Sequence, residues 1–144
     1  MYASVANMID RFGETQLIRL SRPEDRTATT VDENKVNTAL VDATALIDGY
    51  IRGRYLVPIA SPPADIIRAA CILARYDLAQ SEHADPSEEM GKGRKDIITW
   101  LENIAKELIT LDVPRAEAEG PAVGSGPRMS DRERIFTVDS LRGM

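Results

Sequence analysis

The sequence has little of the chemistry on which most enzyme and metal sites depend. It contains one cysteine, Cys71, and one histidine, His83, in 144 residues. A structural zinc site takes four ligands, mostly Cys and His, so one residue of each kind cannot build it. A Ser–His or Cys–His pair would need His83, which lies in a polar stretch between Glu82 and Asp85. We therefore expect no catalytic centre, metal or cofactor, and carboxylate-only chemistry is the one enzymatic alternative left open.

Long apolar runs and a secretory signal are also missing. No stretch approaches the ~20 apolar residues that span a bilayer. Residues 1–10 lack the basic start and apolar block of a signal peptide. Cys71 cannot form an internal disulfide, and its apolar surroundings are typical of a small buried side chain in a reducing compartment. The sequence therefore predicts a protein of the cytoplasm, or one assembled there.

Aromatic and basic residues are scarce as well. Aromatic residues make up 5% of the chain, the net charge is −5, and the sequence pI is about 4.9. A core with few rings must be built from Leu, Ile, Val and Ala, which favours packed helices. Proteins that grip duplex DNA displace counterions with massed Lys and Arg. Because no such run is present, the composition argues against autonomous DNA binding.

The pattern that is present begins with two short helices. Ser4 is a good N-cap for the first, which Gly13 ends, and residues 14–20 form the second. Residues 21–30 follow as a polar loop, predicted to be a solvated connector. The first pair forms a helical hairpin with a tight glycine corner.

A long helix follows the N-cap Asp32. Its apolar stripe is predicted to consist of Val36, Leu40, Ala43, Ile47 and Tyr50. Gly49 and Gly53 weaken its end, and either one could admit another backbone or simply stop the helix. Residues 54–60 then form an extended segment, because Pro58 forbids helix there.

The next helix is predicted to start from Ser61 and its two following prolines and to run to about Ser81. It is apolar almost all round, which indicates a central position in the bundle. Arg68 and Arg75 are seven residues apart and so share a face, either a solvated strip or an interface rim.

A last helix is predicted from the cap Ser87 to about Thr110, with acidic residues in its first turn. Its buried stripe is predicted to comprise Met90, Ile97, Leu101, Ile104 and Leu108. Residues 91–95 make a small basic patch, which is either a solvated helix start or a contact for a polyanion or partner.

Beyond this helix the composition changes. Residues 112–130 hold three prolines and three glycines without apolar periodicity, which predicts a flexible linker. Residues 131–144 return to apolar and arginine residues, as in segments that dock on a partner. The predicted divisions are a helical bundle domain at 1–111, the linker at 112–130 and a docking arm at 131–144. The predicted fold class is mainly α, a small helical bundle with a short extended segment and an extended C-terminal arm.

The order and spacing of several stretches resemble a known family. They are Met1–Ser4 with Met8–Glu14 and Leu17–Ile18, Ala39–Ala43 with Ile47–Ile51, Gly53–Tyr55 with Pro58, Pro63 with Ile66–Tyr76, the Trp100–Leu101 helix, and Phe136–Gly143. Together they resemble the head–tail connector family of Mu-like phages and prophages. The loop at 21–30 departs from that family, because it lacks the acidic and glycine run that many relatives carry.

The resemblance implies a structural virion protein in the neck between capsid and tail. Such adaptors form rings, usually twelve-fold, between the portal and a tail-proximal neck protein, around a channel that DNA crosses without sequence-specific binding. The residues expected to bind the portal or a neighbouring subunit are Arg132, Arg134, Ile135, Phe136, Val138, Leu141 and Arg142. The residues expected at a subunit interface are Tyr50, Gly53, Tyr55, Arg68 and Arg75.

Two further hypotheses remain open. The chain could be a monomeric, phage-encoded regulator that binds a protein partner through the same C-terminal tail. It could also be a DNA-binding protein whose first two helices form a helix-turn-helix. The second helix, however, offers a groove only Glu14, Thr15, Gln16 and Arg19, which are few for phosphates and bases together.

Overall fold

The computed structural model describes residues 1–80 and 84–116, and in these residues the protein is a bundle of five helices. The helices are α1 Val5–Phe12, α2 Glu14–Ser21, α3 Glu33–Ile51, α4 Ala64–Ala79 and α5 Glu88–Ala105. The described part holds no strand, and an isolated β-bridge joins Tyr55 to Arg115. The prediction of a mainly helical fold is confirmed. The arm predicted at 131–144 lies outside the described residues.

The α1–α2 corner has the predicted capping residues. The Ser4 hydroxyl accepts the Asn7 N–H at 3.3 Å, and the Asn7 side chain accepts the Ser4 N–H at 2.9 Å, a reciprocal capping box. Gly13 stands between the helices at φ +87°, a conformation that other residues rarely adopt. Glycine is needed there for its backbone conformation and not for lack of space, since nothing lies within 4 Å of where a Cβ would be.

The long helix α3 begins where its sequence predicted, with the Asp32 side chain accepting the Lys35 N–H at 3.2 Å. Four members of the predicted stripe are buried: Val36, Leu40, Ala43 and Ile47. At the C-terminal end Ile51 is buried and Tyr50 is only half-buried. The buried face shifts because steps of three and four residues average 3.5 residues per turn, whereas the α-helix has 3.6. The predicted stripe therefore rotates slowly around the helix.

The central position predicted for α4 is borne out by its burial. Ile66, Ala69, Ala70, Cys71 and Ala74 have no exposed surface, and α4 packs against all four other helices. The predicted ends were wrong, however. Pro63 occupies the N-cap position instead of Ser61, and the helix ends at Ala79, before Ser81. No helix in the described ranges combines the length and apolar character needed to cross a membrane.

The predicted end of α5 was also wrong. Ser87 caps it as expected, but the helix stops at Ala105. Glu107 takes a left-handed φ of 66°, the Glu107 N–H donates to the Ile104 carbonyl, and the Leu108 N–H donates to the Asn103 carbonyl at 2.9 Å. This is a Schellman end with glutamate at the position usually held by glycine. Leu108 is consequently 73% exposed instead of buried, and Met90 is only half-buried.

Candidate functional site

The last described residues of the chain are held against the bundle by backbone pairing. Residues 54–56 and 114–116, here called the exit seam, run antiparallel and meet at Tyr55 and Arg115. Their two hydrogen bonds are Leu56 N–H to the Pro114 carbonyl at 3.1 Å and Ala116 N–H to the Arg54 carbonyl at 2.9 Å. The first residues of the predicted linker are therefore attached to the extended segment that follows α3.

The exit seam is anchored from inside by Tyr55. This residue is 2% exposed, and its hydroxyl accepts the Leu111 N–H at 2.9 Å. The ion pair between Arg54 and Glu107 joins the same two chain segments. Tyr55 was predicted to lie at a subunit interface, but the structure buries its ring in the bundle. It can support an interface only indirectly, by holding the seam.

A second tyrosine attaches the other end of the extended segment. The Tyr2 hydroxyl donates to Asp48 and accepts the Ile59 N–H at 3.0 Å, and the Tyr2 N–H donates to the Thr44 hydroxyl at 3.1 Å. Burial, together with the hydrogen bond to Asp48, raises the pKa of Tyr2 to about 12. Tyr2 therefore remains neutral at physiological pH and ties the N-terminus, α3 and the extended segment together. The Val57–Pro58 peptide bond within that segment is cis.

The remaining predicted interface residues are accessible but do not share one environment. Tyr50 is half-buried and Gly53 is exposed, with nothing within 4 Å of where a Gly53 Cβ would stand. Arg68 borders a shallow cleft with Trp100 of α5. Arg75 instead lies over the ring of Phe12 at 4.4 Å from its centroid, on the side of α1. The two arginines were predicted to share a face, as a solvated strip or an interface rim, but Arg75 lies against α1 whereas Arg68 borders α5.

The seven residues predicted to bind the portal or a neighbour lie outside the described residues. They are Arg132, Arg134, Ile135, Phe136, Val138, Leu141 and Arg142. Their role stays a prediction. The structure describes the chain up to Ala116. Two exposed apolar side chains lie close in sequence to the ion pair between Arg54 and Glu107. Leu56, which is 57% exposed, comes two residues after Arg54, and Leu108, which is 73% exposed, comes directly after Glu107.

An acidic groove of about 430 Å³ lies between α3, α4 and the loop after α2. Its apolar lining includes Leu20, Ala39 and Leu78, and its carboxylates are Asp42 and Asp77. Burial raises the pKa of Asp77, and the nearby charge of Asp42 adds to the increase although Arg94 opposes it. The groove is thus an apolar depression with two carboxylates and the Lys35 ammonium group in its lining.

A basic pocket lies on the other side of Pro23, which borders both depressions. It has a volume of about 560 Å³ and is lined by Arg19, Arg22 and Arg26. Sequence reasoning missed it, because the loop at 21–30 was interpreted as a solvated connector. The available signal was the spacing of three arginines at steps of three and four residues across the end of α2.

The placement of His, Cys, Asp and Glu side chains decides whether metal or thiol chemistry is available. No group of three or more His, Cys, Asp or Glu side chains in the described part is placed to hold a metal ion. Cys71 is fully buried in α4, and burial raises the pKa of its thiol. A thiol in that environment stays protonated and behaves as an apolar side chain.

Comparison with known proteins gives a consistent set of relatives. The family model described as "Bacteriophage Mu, Gp36" matches residues 2–129. The chain is similar to the Mu-like prophage FluMu protein gp36 of Haemophilus influenzae, with 35% identity over 112 residues, 77% of this chain and 75% of the relative. It is also similar to gene product J of Escherichia phage Mu, with 32% identity over 103 residues, 72% of this chain and 70% of the relative.

Proposed function

Because the chain belongs to the bacteriophage Mu Gp36 family, we propose that it is a structural, non-enzymatic virion protein that connects the head to the tail. In this role it forms a neck ring between the portal and a tail-proximal protein and contributes to the DNA conduit. The proposal goes beyond the family assignment, which makes the chain a Mu-like phage protein.

The observation that carries the proposal is the exit seam. Its two backbone hydrogen bonds and the buried Tyr55 hold the chain at a defined point on the bundle up to Ala116. This arrangement supports a connector role, because it gives an arm that docks elsewhere a defined point of attachment to its body.

The lengths of the parts support an arm that reaches another chain. The longest helix, α3, has 19 residues and is about 28 Å long. Residues 117–144 could span up to about 90 Å if fully extended. Their last part carries four arginines and five large apolar residues within residues 128–142: Arg128, Met129, Arg132, Arg134, Ile135, Phe136, Val138, Leu141 and Arg142. Such a segment can dock by side-chain pockets or strand addition on a portal or a neighbour.

The ring itself requires a heterologous contact, in which one face of each subunit meets a different face of the next. We assign Tyr50, Gly53, Arg68 and Arg75 to these two faces together, with about twelve copies closing the ring. Acidic groups facing the channel would repel DNA phosphates and let the duplex slide.

The experiment is co-sedimentation of the purified protein with portal-bearing, tailless capsids. Three forms are compared: the full chain, a deletion of residues 122–144, and a chain in which the order of residues 131–144 is shuffled. The shuffled chain keeps length, charge and composition, so it separates sequence-specific docking from nonspecific adhesion.

We expect the full chain to bind and both altered chains to fail, while their helical circular dichroism stays unchanged. Equal binding by the shuffled chain would contradict arm docking. No binding by any form would favour the second hypothesis, a soluble monomeric regulator that uses the same tail on another protein. Analytical ultracentrifugation of the free chain then distinguishes a monomer from a ring.

A further inference from the structure

The basic pocket at the end of α2 has no role in the bundle or in the proposed docking arm. Arg19 and Arg22 are one turn apart on α2 and its C-cap, and Arg26 comes from the following loop. These three guanidinium groups line one depression in a chain whose net charge is −5. Like charges placed together repel one another, so such an arrangement favours an anion that neutralises them.

None of the ion pairs among the described residues involves these three arginines. The ion pairs there are Lys35–Glu24, Arg54–Glu107 and Lys106–Glu102. The Nε of Arg22 is buried from solvent and has no hydrogen-bond partner, as is also the case for Arg75 and Arg94, whose guanidinium groups lie over aromatic rings. A buried donor without an acceptor is uncommon in folded proteins and calls for an explanation such as a bound ion or water.

The carboxylate that lines the pocket, Asp25, is engaged elsewhere. It accepts the Thr27 N–H at 2.9 Å and the Thr27 hydroxyl at 2.6 Å. These hydrogen bonds are the main reason that the pKa of Asp25 is lowered, and the charge of Arg22 makes a smaller contribution. One carboxylate among three guanidinium groups leaves a local excess of positive charge.

We propose that Arg19, Arg22 and Arg26 form a binding site for phosphate oxyanions, which the DNA backbone or free phosphate supplies. Each guanidinium presents five N–H donors in a planar fork that matches the oxygens of a phosphate. Thr15, which also lines the pocket, adds a hydroxyl donor.

A phosphate-bearing ligand fits this donor set better than a single carboxylate does. One carboxylate offers about four lone-pair sites, far fewer than three guanidinium groups can fill. A DNA strand presents a row of phosphates, and contacts to them carry no sequence information. The site would therefore position DNA without reading it. The inference is independent of portal docking, since none of its residues belongs to the arm or to the interface proposed above.

The negative net charge limits the strength of this contact. The whole protein repels DNA while the pocket attracts it, so binding is weak and strongly dependent on salt. A contact of this kind suits repetition around a ring better than capture by one subunit.

The first test measures binding of the full chain to a labelled duplex by fluorescence anisotropy between 20 and 200 mM salt, concentrations chosen around the roughly 10 Å screening range. The triple variant Arg19→Gln, Arg22→Gln, Arg26→Gln is compared with Arg52→Gln, Lys106→Gln, Arg115→Gln. Both lose three positive charges, and the three control residues are exposed and lie outside the pocket.

We expect the pocket variant to bind the duplex roughly ten- to hundredfold more weakly than the wild type at low salt. The slope of log affinity against log salt should fall by about one for each arginine removed. The control should keep most of the wild-type affinity and slope. Equal losses in both variants would overturn the proposal, because they would indicate net charge alone.

The second test uses inorganic phosphate as the probe and thermal unfolding as the readout. Stabilisation of the wild type but not of the pocket variant, without duplex binding, would support the oxyanion site with free phosphate as its source. Failure of both DNA and phosphate would overturn it, and arginine-dependent binding of a polyglutamate peptide alone would assign the pocket to a protein partner. The pocket variant should still sediment with portal-bearing capsids, so this proposal and the connector proposal can fail separately.

Discussion

The centre of α4 and the exit seam are held by different interactions. Side chains around Ala70 and Cys71 are packed without exposed surface and form no side-chain hydrogen bonds with one another. The segments on either side of Tyr55 depend instead on single hydroxyl and backbone hydrogen bonds between residues far apart in the chain. Apolar packing tolerates only changes that keep volume and polarity, whereas the seam should respond to the loss of one oxygen atom.

This contrast has a consequence for function. Damage to α4 should unfold the whole bundle, since it contacts every other helix. Damage to the exit seam should leave the bundle folded and loosen the attachment of residues 111–116 to it. The two regions can therefore be separated by substitution.

The largest effect is expected from Ala70→Asp. Ala70 has no exposed surface, so the substitution would bury an unpaired carboxylate at a cost of several kcal/mol. We expect no cooperative urea unfolding transition by circular dichroism. Ala45→Asp, on the exposed face of α3, introduces the same charge and should unfold nearly as the wild type does. A cooperative transition for Ala70→Asp would show that α4 is not central.

Tyr2→Phe should come next, because its hydroxyl makes two of the hydrogen bonds that secure the extended segment. The pKa of Tyr2 is raised from 10.0 to about 12 in the fold. The native state keeps its proton where the unfolded chain loses it, so this stabilisation is complete below pH 10 and disappears as the pH rises towards 12. The free energy of unfolding should fall by roughly 2–3 kcal/mol over this pH range.

The measurement is urea unfolding at pH 9 and pH 11.5 for the wild type and for Tyr2→Phe. The wild type should lose more stability between the two pH values than the variant does. The same loss in both proteins would attribute the alkaline effect to other groups.

Tyr55→Phe should cost about 1–3 kcal/mol, because it leaves the Leu111 N–H without its acceptor. The loss should be local, with faster amide exchange at Leu111 and across residues 114–116 while α4 stays protected. Tyr50→Phe serves as the matched control on the half-buried tyrosine of α3. Unchanged exchange at Leu111 would contradict the anchoring role of Tyr55.

The smallest effect is expected at the end of α4, from Asp77→Asn. The pKa of Asp77 is raised, chiefly by burial, so its charged form costs stability above its folded pKa. Removing the charge should raise the free energy of unfolding at pH 7 by less than about 1 kcal/mol, and the melting temperature should rise slightly with it. The gain should vanish at pH 3, where the carboxyl is protonated in both states. Asp10→Asn on exposed α1 should show no gain.

The features that the sequence predicted correctly are those that depend on interactions between residues close together in the chain. The caps Ser4, Asp32 and Ser87 and the corner at Gly13 depend on neighbours three or four residues away, and all four lie as predicted. The early end of α5 depends on Glu107 turning the chain back towards Arg54. No local sequence pattern encodes that contact. The apolar Leu108 continues the helical spacing, so the sequence predicted a longer helix.

The candidate sites show the same division. The sequence alone predicts an arm at 131–144 from its arginine and apolar residues, and that arm stays a prediction. It could not show that Tyr55 is buried, that Arg68 and Arg75 face different helices, or that three arginines line one pocket. Each of these depends on how side chains from separate elements meet.

The amino-acid order by itself determined the helical class, the capped starts of α1, α3 and α5, and the central place of α4. These features arise from residue spacing and local hydrogen bonds, which act within a few turns of chain. Only the tertiary structure decided the path of residues 107–116, the two tyrosine anchors and the neighbouring acidic and basic depressions. Those depend on contacts between residues tens of positions apart, such as Tyr2 with Ile59 and Tyr55 with Leu111, which form only when the helices pack.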